Sequence, residues 1–272
     1  MPDLIIKPEW INVEVLPSGV GIENFAGCLP QDDAELMMSG GEFEASFPLI
    51  PRSEWREIAA ERKRGLKTLI KGRRNQGREG SCVGNGATRS QEYQEAINYG
   101  PTRRIPLSAM SLYKRIGRSA SSGAVISDAL EAMKTHGVLP LDTPEAVRIF
   151  TAEFGHPPRH THPATGFHQP LPRDWEETGR LLAIDEYWQI RSIEGFVTAL
   201  WSNFAVVYGR SRHCICGVDW IESGGKEYIE YDNSWGASWG NEGFGYDELR
   251  WLEKQPIYGW FAVRTSRARY HR

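Results

Sequence analysis

The chain has 272 residues, 40% of them hydrophobic and 25% charged, with 32 basic against 35 acidic side chains for a net charge of −3. That balance excludes a partner bound through overall charge, nucleic acid included, and the composition excludes a disordered chain. No apolar run approaches the ~18 residues of a bilayer span. The opening MPDLIIKPEWINVEV lacks the basic-then-apolar layout of a signal peptide, so the expected setting is the cytoplasm, or a particle assembled in it.

Residues 1–50 read as an extended arm, with thinly spread apolar positions at Leu4, Ile5, Ile6, Trp10, Ile11, Val13, Val15, Phe25, Leu29 and Phe43 to Phe47. Such an arm cannot bury a core of its own and is expected to lie across its own domain or a protein neighbour. From Arg52 to Ile70 the pattern turns helical, with Trp55, Ile58 and Ala59 at i, i+3 and i+4. Eight basic residues fall between Arg62 and Arg78 (Arg62, Lys63, Arg64, Lys67, Lys71, Arg73, Arg74 and Arg78). They read as a solvated surface in preference to a nucleic-acid site.

Further helices are predicted from Cys82 toward Asn98, over Ser108 to Arg118, and over Ile126 to Thr135, where Gly137 stops the last. Gly84 and Gly86 weaken the first of these but admit a neighbouring backbone. After Pro140 the chain is expected to be irregular, with prolines at 157, 158, 163, 170 and 172. Beyond it, Ala205 to Tyr208, Cys214 to Val218 and Glu227 to Tyr231 read as strands. Helices first and strands afterwards give an α+β fold, with a mainly helical part over 51–185 and a mainly β part over 186–272. The tail from Arg264 to Arg272, with four arginines, reads as a disordered or partner-contacting end.

Four cysteines, Cys28, Cys82, Cys214 and Cys216, are too few for a disulfide scaffold and suit a reducing compartment. Cys214 and Cys216 lack a second pair at zinc spacing. His156, His160, His162 and His168 lack acidic or thiol companions, so no metal site and no cofactor is expected.

Three stretches carry chemistry. Asn75 to Cys82 (NQGREGSC) places a thiol where a helix opens, and the unpaired N–H groups there favour thiolate. His213 heads the apolar strand HCICGV. A third stretch reads DNSWG over Asp232 to Gly236, followed by WGNEGFGY over Trp239 to Tyr246.

The order Gln76, Cys82, His213, Asn233, with N-S-W-G following, resembles the papain-like (C1 family) cysteine peptidases, in particular bacterial- or phage-type members. The likeness covers roughly residues 70–250. It implies a two-lobed fold with the active site in the cleft between a helical and a β-rich lobe, and a thiol protease acting on a peptide or protein. By that likeness Cys82 is the nucleophile, His213 the base and proton donor, and Asn233 the acceptor that orients the imidazole. Gln76 and the Cys82 N–H form the oxyanion hole, and Trp235 shields the His–Asn hydrogen bond. Gly123 lines the substrate cleft, and Cys214 borders the pocket for the residue before the scissile bond.

The pattern departs from the family in places. Glu79 stands where a half-cystine is common, so no disulfide is expected, and the segment between the Val206 strand and His213 is short. Arg212 beside His213 is expected to oppose the imidazolium. Residues 1–50 show no likeness to the family's propeptide, so the arm is expected to run away from the cleft. Two further readings stay open. One is a papain-fold hydrolase of cell-wall or isopeptide amides. The other is a papain-fold domain kept as a structural or docking component of a larger assembly such as a virus particle.

Overall fold

The computed structural model describes residues 6–12, 27–31, 41–61, 65–117, 119–255 and 258–267. Leu4, Ile5, Val13, Val15, Phe25, the basic residues Arg62, Lys63 and Arg64, and the tail beyond Arg267 lie outside them. In chain order the helices are α1 (Phe43–Ser46), α2 (Trp55–Glu61), α3 (Cys82–Tyr99), α4 (Ala109–Ile116), α5 (Ile126–Thr135), α6 (Pro144–Phe154), α7 (Glu176–Gly179), α8 (Ile193–Trp201) and α9 (Leu249–Leu252). The strands are β1 (Gly41–Glu42), β2 (Glu186–Gln189), β3 (Val206–Arg210), β4 (His213–Ser223), β5 (Lys226–Asp232), β6 (Phe244–Glu248) and β7 (Trp260–Arg264). Among the described residues they form one sheet in the order β1-β2-β7-β3-β4-β5-β6, antiparallel except for the β1–β2 pair.

In this order α3 to α7 precede β2 to β7, with α8 and α9 among the strands, and α3 packs between helices and sheet. Every residue from Cys82 to Ala96 is buried, because α4 and α5 cover one side of this helix and β4 the other. Glycine makes that approach possible. A β-carbon at Gly84 would meet the Ala109 carbonyl at 2.5 Å, and one at Gly86 would meet the Cys214 sulfur at 2.8 Å. The ions buried with the helix are paired. Arg89 contacts Glu92 and Asp232, Arg74 contacts Glu92, and Glu95 contacts Arg267.

Two expectations fail here. The stretch after Pro140 is not irregular from its start, because α6 occupies 144–154. Thr143 caps it by accepting from the Ala146 N–H, Pro144 fills the first turn, and Gly155 ends it in the left-handed region. Beyond it, residues 155–175 have no regular elements, as expected. The end of the chain is also not loose up to Arg267. Arg264 is in β7, and the Arg267 guanidinium is buried between Glu95 and Glu153.

Three of the eight basic residues are paired within the fold, Lys67 with Glu230, Arg73 with Asp232 and Arg74 with Glu92. His160 bonds Asp174, while His162 is buried beside Ser108. No group of three metal-ligating side chains occurs among the described residues. No helix among them is long and apolar enough to cross a membrane.

Candidate active site

Cys82 is the first residue of α3. Its sulfur is within hydrogen-bonding reach of the N–H groups of Cys214, Val83 and Cys82 itself. Two of these amides belong to the opening turn of the helix. The third belongs to β4, one residue beyond His213, so the sequence-distant Cys82 and His213 segments meet.

His213 opens β4 because β3 and β4 are joined by a two-residue turn, with Arg210 directly opposite His213. Both turn residues, Ser211 (φ 44°) and Arg212 (φ 67°), are left-handed without being glycine, which costs about 1–2 kcal/mol each. This is the structural form of the short segment noted in the sequence. The His213 Nε2 donates to Asn233 Oδ1 at 2.8 Å, while Nδ1 has no hydrogen-bond partner among the described residues. Trp235 stacks on the imidazole with ring centroids 4.5 Å apart and planes 24° apart, covering that hydrogen bond.

Gln76 is buried next to the same loop. Its backbone N–H donates to the Ser234 carbonyl, and Asn75 bridges Trp235. The side-chain Oε1 accepts from the Ser234 hydroxyl, and Nε2 donates to the Glu79 carbonyl at 2.7 Å. An amide nitrogen carries two donors, so one remains after that bond. Glu79 ties this loop to residues 166–167, its carboxylate accepting from the N–H groups of Gly166 and Phe167.

The arm does not run away from the cleft. Residues 27–31 lie across it, and the expectation is corrected by three backbone hydrogen bonds. Cys28 N–H donates to the Arg212 carbonyl (2.9 Å), Leu29 N–H to the Ala124 carbonyl (2.9 Å), and Ala124 N–H to the Gly27 carbonyl (3.0 Å). Gly27 sits directly on Cys82, where a β-carbon would overlap the Cys82 sulfur and lie 3.1 Å from the Gly80 carbonyl. Elsewhere the arm lies against the sheet. Ile11 and Asn12 pair with Tyr246 of β6, and β1 adds to the edge at β2.

Gly123 lines this wall less directly than expected. It is left-handed (φ 70°) and its N–H donates to the Tyr113 hydroxyl, so the neighbouring Ala124 presents the backbone groups that grip the arm. Ala124 and the Arg212 carbonyl had no signal in composition or spacing. Their role is a backbone one.

The electrostatics of this covered site also differ from the sequence reading. Burial pushes the Cys82 thiol well above its usual range and the nearby Cys28 thiol adds to that, outweighing the three N–H groups that favour thiolate. Burial likewise holds His213 down to about 3. The bond to Asn233 acts in the opposite sense, and the Arg210 charge lowers it further. The opposing cation is therefore Arg210, paired with Asp247 beneath the strand, rather than Arg212. With the arm seated, burial disfavours the charged form of both Cys82 and His213.

No protein-family profile and no curated protein matches this sequence. Solved structures do. Xylellain, a cysteine protease from Xylella fastidiosa, superposes with a TM-score of 0.63 at 14% identity, over 93% of this chain and 100% of that one. The digestive procathepsin L2 proteinase of Tenebrio molitor larval midgut gives 0.61 at 17%, over 89% and 78%. The bromelain protease from Ananas comosus, in complex with the E64 inhibitor, gives 0.52 at 16%, over 78% and 97%.

Proposed function

We propose that this chain, which has the papain-like fold, is a cysteine peptidase that hydrolyses peptide bonds through a Cys82 thioester. The observation that supports it is a thiol at a helix start whose sulfur lies by the Cys214 amide, on the strand that His213 opens, with the His213 Nε2 bonded to the Asn233 carbonyl and Nδ1 unpaired among the described residues. Once the arm leaves, His213 takes the Cys82 proton and the thiolate attacks the scissile carbonyl. The remaining Gln76 N–H and the Cys82 N–H hold the oxyanion, a donor of this kind being worth about 3 kcal/mol. The imidazolium then protonates the leaving amine. Water, deprotonated by His213, cleaves the thioester and restores the thiol. Asn233 keeps the imidazole in the tautomer with hydrogen on Nε2, leaving Nδ1 to exchange the proton.

The test is hydrolysis of an unfolded protein by the full chain in reductant, against its Cys82→Ala variant. Equal hydrolysis by the two would sink the proposal. The seated arm favours a second reading, a domain retained for docking within an assembly. In that case a thiol-directed epoxide leaves Cys82 unmodified in the native protein under every condition that keeps it folded.

A further inference from the structure

The arm brings a third thiol to the site. Cys28 is fully buried, and its backbone is fixed from both sides by Arg212 and Ala124. Its sulfur rests over Gly209, 2.8 Å from where a β-carbon there would stand. Gly209 is the direct register partner of Cys214 in the β3–β4 ladder. Side chains directly opposite in an antiparallel pair share a face, with β-carbons about 4.5–5.5 Å apart. The Cys28 sulfur thus packs, with Tyr258, against the face that Gly209 leaves open beside Cys214, and the two thiols interact, the Cys28 thiol also facing the Leu29 carbonyl. Cys82 is in the same apolar cluster, but it is Gly27, the backbone before Cys28, that lies on its sulfur. All three cysteines are free, and Cys216 belongs to a different cluster, with Tyr93 and Val218.

We propose that Cys28 and Cys214 are a redox latch, joined by a disulfide that fastens the arm across the active-site cleft and leaves Cys82 reduced beneath it. The proposal rests on the peptidase reading for its consequence, but not for its chemistry. It also replaces the expectation that the native chain forms no disulfide, which rested on Glu79 standing in the place of a half-cystine.

The oxidant is a small disulfide such as oxidised glutathione. Local opening of the arm exposes Cys28, whose thiolate attacks the disulfide and releases one glutathione thiolate, leaving a glutathionyl–Cys28 mixed disulfide. As the arm returns, the Cys214 thiolate attacks the Cys28 sulfur and expels the second glutathione. The two protein thiols lose two protons and two electrons, and both pairs end on two molecules of reduced glutathione. The reverse exchange, driven by excess dithiol, frees the arm. Burial of both thiols makes the seated arm slow to react in either direction, so opening sets the rate.

The experiment uses the full native chain, incubated with oxidised glutathione or with reductant, then quenched by alkylation and mapped without reduction. The expected result is a loss of 2 Da, a single Cys28–Cys214 linkage, and free Cys82 and Cys216. Labelling of Cys82 by a thiol-directed epoxide should then be roughly tenfold or more slower in the oxidised protein, since a short tether restores the arm at millimolar effective concentration, and recover after reduction. Cys28→Ser, close in size, should give no linkage and lose the oxidant dependence. Four free thiols in folded protein after oxidation, stable glutathione adducts, or a linkage through Cys82 would each overturn the latch. If instead the linkage forms as expected while Cys82 resists the epoxide even when reduced, the latch stands and the peptidase reading fails.

Discussion

Gly27→Ala is the substitution that most directly tests whether the arm gates Cys82. The new methyl group would occupy the position of the Cys82 sulfur, and the arm must lift to admit it. What holds the arm down here is three backbone hydrogen bonds, each worth about 1 kcal/mol net, together with the buried Cys28 side chain. Forcing an extra methyl into a packed site costs about 1–3 kcal/mol, comparable to that hold. At about 1.4 kcal/mol per decade, the open population rises roughly 5- to 150-fold. Epoxide labelling of Cys82 proceeds only from the open form, so when opening is fast its rate scales with that population. The reduced Gly27→Ala protein should therefore label about 5- to 150-fold faster than the parent. Gly72→Ala is the control, because a β-carbon there meets nothing within 4 Å. An unchanged rate in Gly27→Ala, or equal acceleration in Gly72→Ala, would refute the gating argument.

Four further outcomes are expected. Cys82→Ala should abolish peptide hydrolysis with the melting temperature within a few degrees of the parent. Asn233→Ala should retain measurable turnover, roughly 10- to 100-fold down, because it removes the group that orients the imidazole and not a bond-forming atom; turnover as low as in Cys82→Ala would contradict that role. Acid should open the arm. His213 is held near 3 when covered, so protonation favours the uncovered state, closure is strongest above about pH 6.5, and it weakens as pH falls toward 3. At about 1.4 kcal/mol per unit, pH 5 costs closure about 2 kcal/mol, roughly thirtyfold in labelling corrected for thiolate content; Arg210, the charge facing the imidazole, stays cationic throughout, and a flat profile would contradict the scheme. Finally, Thr143→Ala removes the N-cap of α6 and should lower stability by about 1 kcal/mol, read as a melting shift of roughly 2–4 °C, with Cys82 labelling unaltered.

The parts of this structure legible in the sequence are those set by local pattern. Ile126, Ala129, Leu130 and Met133 recur at helical spacing, and α5 spans 126–135 as that spacing predicts. The glycines in α3 read as sites of close approach, and Gly86 indeed lies against Cys214. The α6 helix had equally local signals, in Thr143-Pro144 before Ala146, Ile149 and Phe150, but the prolines farther on outweighed them in the reading. Other features had no local signal at all. The arm's path depends on Cys28 meeting Arg212 and Ala124, residues about 95 to 185 positions away, and nothing in its own composition specifies those partners. Likewise Arg212 was singled out for its charge, whereas its contribution is a carbonyl oxygen made available by a strained two-residue turn.

That turn connects closure with chemistry. The residue that holds the arm, Arg212, immediately precedes His213, and the other wall residue, Ala124, follows a glycine whose N–H donates to the Tyr113 hydroxyl. An extended chain is thus gripped by two backbone groups whose positions are set by β4 and by the start of α5, not by side chains that could rotate away. The same seated chain covers Cys82, and in this buried setting the charged forms of both Cys82 and His213 are disfavoured. The N–H groups at the opening of α3 are already in place around the sulfur, so they do not need to be assembled. Removing residues 27–31 from the cleft rehydrates the pair and leaves those N–H groups as the dominant influence on the thiol. Arm release therefore changes access and nucleophile charge in one step, which is why a single methyl group at Gly27 or a single bond at Cys28 is expected to control the whole site.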